Sequence, residues 1–163
     1  MNFKQSVIDV FSALNTANIR YVVVGGLAVV SHGYVRTTKD IDLVVALDAE
    51  NVTGAFAALA RAGYQPKVPV SAADFAAGDV RERLIREKNM IVLQFWRDNS
   101  PDVDVFVREP FVFDTEWGNA KIETVSPDVS ARVVRLEALL DLKRSASRPQ
   151  DLADIDALTK LHE

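Results

Sequence analysis

Two aspartates one residue apart, Asp40 and Asp42, stand in the run Lys39-Asp40-Ile41-Asp42-Leu43, and a third carboxylate, Asp104, stands in Val103-Asp104-Val105. Side chains at i and i+2 of a strand share a face, so Asp40 and Asp42 project together while Ile41 and Leu43 point the other way. Asp104 interrupts an apolar strand, where a carboxylate is costly unless it is paired or ligates a cation. Asp102 lies nearer the turn and needs no such reason. Three carboxylates within about 4 Å of one another repel by roughly 4 kcal/mol per pair at an effective dielectric of 20. A divalent cation removes that conflict, and an all-oxygen set suits Mg²⁺ or Mn²⁺. Upstream, the apolar run Tyr21 to Val24 breaks at Gly25-Gly26 and passes into a short helical run, Leu27 to Ser31. Glycines there let the backbone come close to a phosphate, and the first N–H groups of the following helix favour an anion. Alone, an Asp-x-Asp pair or a Gly-Gly is usually a solvated edge or a turn; their conjunction between Tyr21 and Val45 points to metal-dependent phosphate chemistry.

The elements that must position these residues follow from periodicity. Phe3, Val7, Val10, Phe11 and Leu14 mark an amphipathic helix over 3–17 that ends at Asn18. Strands are expected at Arg20 to Val24 and Asp40 to Ala46, with a helix from Ala49 to Ala62 capped by Asp48 and stopped by Gly63. Tyr64 to Val70, broken by Pro66 and Pro69, is at best an edge. A weak helix from Ser71 and a charged one over Asp79 to Lys88 precede a hairpin of Met90 to Trp96 with Asp102 to Val107. Glu109 to Thr124 reads as irregular, apart from a short strand at Lys121 to Val125, and Val129 to Val134 is a further strand. Leu136, Leu139, Leu140 and Leu142 mark a helix broken at Arg148-Pro149, and a last helix over Gln150 to Leu161 is expected to turn Leu152, Ile155 and Leu158 inward. His32, at a helix end, is expected to be a cap or a packed polar residue rather than a substrate contact.

At 163 residues the chain is expected to form one domain over 1–163, with a core about 18–107 and a C-terminal strand and helices about 120–163. A hydrophobic fraction of 48% and a charged fraction of 26% are those of an ordinary globular protein. No apolar run approaches bilayer length and the N-terminus does not read as a secretory signal, so a cytoplasmic protein without membrane contact is expected. The absence of cysteine excludes disulfides, thiolate zinc sites and thiol catalysis. A net charge of −4 argues against broad binding to a nucleic-acid backbone, although Arg81, Arg83, Arg86, Lys88, Lys143 and Arg148 could form a local basic face. Neither GxxxxGK[ST] nor GxGxxG follows the first strand, which excludes P-loop and Rossmann nucleotide sites.

The series Gly25-Gly26, Arg36-Thr37-Thr38-Lys39, Asp40-Ile41-Asp42-Leu43 and Val103-Asp104-Val105 resembles the small nucleotidyltransferases of the DNA polymerase beta superfamily. It is similar in particular to the branch related to abortive-infection and toxin-type nucleotidyltransferases, and the stretch Leu139 to Ile155, with Lys143, Arg148, Asp151 and Asp154, resembles the tail of that branch. The resemblance implies an α+β fold, a central mixed sheet flanked by helices with further helices at the C-terminus. It implies metal binding by Asp40, Asp42 and Asp104, a catalytic role for the same three, and nucleotide contacts by Gly25, Gly26, Arg36, Thr38, Lys39 and Lys143. The reaction implied is Mg²⁺-dependent transfer of an NMP from an NTP to an acceptor hydroxyl, with release of pyrophosphate. Protein, tRNA or a small molecule all present such a hydroxyl, and a cognate partner protein or a homo-oligomer is compatible with the pattern. One departure stands out: the superfamily's usual turn is Gly-Ser, whereas Gly26 carries no hydroxyl here. It motivates an alternative in which a catalytically weak module of this fold serves as a binding component, for example in a toxin–antitoxin pair.

Overall fold

The computed structural model describes residues 2–163. Helix α1 (Phe3–Thr16) is capped by Asn2, whose side chain accepts from the Gln5 N–H, and buries Val7, Val10, Phe11 and Leu14. Asn18, at φ 55°, turns the chain into β1 (Tyr21–Val24), four buried residues. Then come α2 (Gly25–Ser31), β2 (Ile41–Val45), α3 (Ala49–Arg61), β3 (Gln65–Pro66), α4 (Ala72–Ala76) and α5 (Gly78–Lys88). The remainder is β4 (Val92–Trp96), β5 (Val103–Phe106), α6 (Phe113–Asn119), β6 (Lys121–Ser126), β7 (Val129–Val133), α7 (Leu136–Ala146) and α8 (Pro149–Leu161). Asp48 caps α3 by accepting from the Asn51 N–H, and Gly63 leaves the helix at φ 89°.

The seven strands form one mixed sheet in the order β3-β4-β5-β2-β1-β7-β6. β2 runs parallel to β5 and β1 parallel to β7, while β1–β2, β4–β5, β3–β4 and β6–β7 are antiparallel. The alternation expected for β2 and β5 is met: Ile41, Leu43, Val103 and Val105 are buried on one face. There Phe95 of β4 packs edge-on against Phe56 of α3, which also meets Phe75 of α4. The opposite face carries the polar residues of the same strands, with Lys143 of α7 near enough to Asp42 to act on its charge.

Four local expectations need correction. The helix after the glycines starts at Gly25 itself, and β2 begins at Ile41, leaving Asp40 in the bend just before it. The stretch Glu109 to Thr124 is not irregular: it contains α6, where Phe113 and Trp117, four residues apart, stack at 6.1 Å, Arg132 covers the Trp117 ring, and buried Glu116 accepts from Arg135. The charged segment over 79–88 is a helix as expected, yet none of its residues is buried. In α8, Leu158 is buried as expected but Leu152 is 55% exposed, and the inward face also carries Asp151 and Asp154. Periodicity of leucines missed this because ion pairing, not apolar burial, decides how that helix is rotated.

Candidate active site

Strand register places the carboxylates. Val24 pairs with Asp42, Asp42 with Asp104, and Asp104 with Gln94, so a polar row crosses β2, β5 and β4 and meets β1 at its last residue. Residues in register on neighbouring strands put their side chains on the same face, about 5 Å apart. The row ends at β1, where the chain bends through Gly25 (φ 66°) into α2. A Cβ at Gly25 would lie 2.7 Å from the carboxyl carbon of Asp42 and closer still to Oδ2, so only glycine allows the turn to press on that aspartate. A Cβ at Gly26 would lie 2.8 Å from Thr38 Cβ and 3.3 Å from Arg36 Nη1.

The carboxylates are under electrostatic load. Burial, then the charges of Asp104 and Asp40, push the Asp42 carboxyl up to about 7, against the pull of nearby Lys143. Asp104 is raised by burial and by Asp40, opposed by a hydrogen bond from Gln94, and Asp40 is raised by burial and by Asp102. Asp104 is 8% exposed and its Oδ1 is buried without a hydrogen-bond partner. An orphaned anionic oxygen beside a second crowded carboxylate is a donor set that fits a hard divalent cation. Among the described residues no three acidic or histidine side chains form a ready-made cage. That is compatible with Mg²⁺, which commonly takes one or two carboxylates and completes its shell with waters and substrate phosphates.

Behind this row lies a charged cluster that leucine periodicity does not reveal. Asp154, fully buried, accepts from Arg36 Nε (2.7 Å) and Nη2 (2.8 Å), from Gln150 Nε2 (2.9 Å), and pairs with Lys143 Nζ (2.9 Å). Asp151, 1% exposed, pairs with the same Lys143 at 3.2 Å and with Arg148 at 2.7 Å. Lys143 is itself 6% exposed, so it is not part of a basic surface with Arg81 to Lys88. Burial acts to raise both aspartates, but hydrogen bonds from Arg148 and Lys143 to Asp151, and from Arg36, Lys143 and Gln150 to Asp154, hold them below the usual carboxylate range. Arg36 also donates to the Thr37 carbonyl, which fixes the segment that carries Thr38. Lys39 is exposed.

The structure therefore brings Gly25, Gly26, Arg36, Thr38, Asp42, Asp104 and Lys143 around one end of β1 and β2. On the far side of Asp104, Lys67 pairs with Asp102, and its backbone N–H donates to the Gln94 carbonyl. Asp151 and Asp154 belong to the tail motif without an assigned role, whereas Gln94 and Lys67 carry no motif; the interruption of Val92-Leu93-Gln94-Phe95 by a polar residue is the available signal for Gln94. His32 caps α2, its Nε2 against the Val134 carbonyl at 2.7 Å, while His162 Nε2 meets the His32 carbonyl.

A mixed sheet that presents two registered aspartates beside a strand–glycine–helix bend defines a nucleotidyltransferase. The chain belongs to the aminoglycoside-2''-adenylyltransferase family, whose model matches residues 6–93. It resembles the crystal structure of the lincosamide antibiotic adenylyltransferase LnuA bound to lincomycin, with a TM-score of 0.61 at 16% identity over 95% of each chain. It also resembles ANT(2'')-Ia in complex with adenylyl-2''-tobramycin, with a TM-score of 0.59 at 13% identity over 98% of this chain and 89% of that one. No curated protein sequence matches the chain. Nucleotidyltransferases of this kind generally use a divalent metal. No described helix is long and apolar enough to cross a membrane.

Proposed function

We propose that residues 1–163 act as one domain that transfers a nucleoside monophosphate, AMP being the first choice, from an NTP to a hydroxyl of an amine-bearing small molecule of the antibiotic type. The observation that carries this reading is the registered Asp42–Asp104 pair, with its orphaned Oδ1, directly beside the Gly25–Gly26 bend. Asp40, Asp42 and Asp104 are the residues that would hold Mg²⁺ or Mn²⁺. When bound, the cation supplies charge to the triphosphate and acidifies the attacking hydroxyl. Gly25 and Gly26 let the backbone approach the phosphates, and Arg36, Lys39 and Lys143 supply positive charge behind them. The acceptor's proton passes to Asp104, whose basicity is raised by burial and by Asp40. The acceptor oxygen bonds to the α-phosphorus, the bond from that phosphorus to the β-bridging oxygen breaks, and pyrophosphate leaves. Beyond Asp104, Asp40 and Asp102 stand against Lys67 and Lys39, a polar wall of both signs that suits a hydrogen-bonding acceptor. The antibiotics bound by the two structural relatives lend the same direction.

Incubation with α-labelled ATP, Mg²⁺ and panels of aminoglycosides and lincosamides tests the reading. Labelled antibiotic and pyrophosphate are expected from the wild type, with losses of 100-fold or more in Asp42→Asn and Asp104→Asn. Transfer by both variants at the parental rate would sink the assignment. Label appearing on protein or tRNA, and not on any drug, would select a macromolecular acceptor instead.

A further inference from the structure

The geometry points to Thr38 as the residue that supplies a phosphate-binding hydroxyl from across the turn, in the volume that a Gly26 side chain would otherwise fill; this inference rests on the nucleotidyltransferase reading above. A Cβ built on Gly26 would collide with Thr38, lying 2.8 Å from its Cβ and nearer still to Oγ1. Contacts below about 3 Å are not found for real Cβ atoms, so a side chain at 26 and the Thr38 side chain exclude each other. Glycine at 26 is therefore explained by Thr38 and not by backbone conformation, since only Gly25, Gly33 and Gly63 among the described glycines have positive φ. Arg36 Nη1 reaches the same point from the other side, 3.3 Å from the built Cβ. Its Nε and Nη2 are taken by Asp154 and Nη1 gives one hydrogen to the Thr37 carbonyl at 2.9 Å, which leaves the second Nη1 hydrogen beside Gly26. A hydroxyl donor and a guanidinium N–H thus converge on one small residue, beside an aspartate pair suited to a cation. That is the donor set for one anionic phosphate oxygen of a metal-bound nucleotide.

The prediction is an exchange between two positions. Thr38→Val keeps the shape and removes the donor, and is expected to weaken ATP–Mg²⁺ binding roughly 10- to 100-fold, the effect of one hydrogen bond to a charged group. Thr38→Ser is expected to recover most of that loss. Gly26→Ser alone meets Thr38 and is expected to bind poorly, whereas Gly26→Ser with Thr38→Ala returns a hydroxyl to the same space from the opposite segment and should bind at least tenfold better than Gly26→Ser. Calorimetric titration with ATP and Mg²⁺ reads all four, with thermal melts to confirm folding; if the position-26 variants do not fold, the Val and Ser pair at 38 decides. Thr38→Val binding like the wild type, or a folded double variant no better than Gly26→Ser, would overturn the inference. Failure of the wild type itself to bind any NTP would overturn the underlying reading, a separately visible result.

Discussion

Replacing Asp154 by asparagine perturbs the point where the C-terminal helices hold the site. The carboxylate is fully buried and faces Arg36 twice, Lys143 once and Gln150 once, all at 2.7 to 2.9 Å. Without its charge, Lys143 retains Asp151 alone in a site 6% exposed, and Arg36 loses its bidentate partner. Breaking a buried pair in this way costs about 3–5 kcal/mol, because a cation is left without compensation. For a chain of this size that corresponds to a fall in Tm of roughly 6–20 °C. Asp156→Asn in the same helix is the control: its pair with Lys160 is exposed and i,i+4, so about 0.5 kcal/mol or less is expected. Urea titrations of the three proteins measure the difference. Since Asp154 is held below the usual carboxylate range, its contribution should be constant from pH 8 to about 5 and vanish as pH falls through the lowered folded value. A cost under about 1 kcal/mol at pH 7, indistinguishable from Asp156→Asn, would refute the claim that this cluster fixes α8 to the Arg36 segment.

Asp42 has the opposite sign: with a folded pKa raised to about 7 and an unfolded one near 4, the metal-free protein binds its proton more tightly than the unfolded chain. Stability should therefore fall as pH rises from about 4 to 7, by up to about 4 kcal/mol, and this slope should be smaller in Asp42→Asn, where only Asp40 and Asp104 remain raised, and reduced by millimolar Mg²⁺. Identical pH profiles for wild type and Asp42→Asn would contradict the crowding of these carboxylates. Gly25→Ala combines a φ of 66° with a collision against Asp42, and should cost about 1–3 kcal/mol in denaturant titrations and abolish transfer; full activity in that variant would show that the turn does not need to press on Asp42.

The part of the site carried by strand alternation and turn chemistry was legible from residue order. Alternation turned Ile41 and Leu43 away from Asp42, and Val103 and Val105 away from Asp104, and Gly25-Gly26 marked the bend; that Asp42 and Asp104 stand side by side came from the β2–β5 register. What residue order could not reveal was pairing at a distance. Nothing local tells Lys143 that Asp151 and Asp154 will face it, and a helix with Leu152, Ile155 and Leu158 looks apolar on that side until the ion pairs are known. Likewise α6 was hidden because no side-chain cap announces it, and its Trp117 finds Arg132 only across the β6–β7 hairpin. The absence of a serine at position 26 looked like a loss when read along the chain; in space, Thr38 stands in the gap.

The place of β7 in the sheet has a consequence for biosynthesis. The strand beside β1 is contributed by residues 129–133, Val23 pairing with Val133, so an interior strand with all four residues buried is flanked on one side by a segment made 110 residues later. During translation the edge of β1 stays open until almost the whole chain has left the ribosome, and closing it requires a long loop whose entropy is recovered only at the end. Until β7 docks, the valine-rich edge of β1 is open to pairing with other chains, whereas the folded sheet has confined its margins to the two-residue β3 and the charged β6.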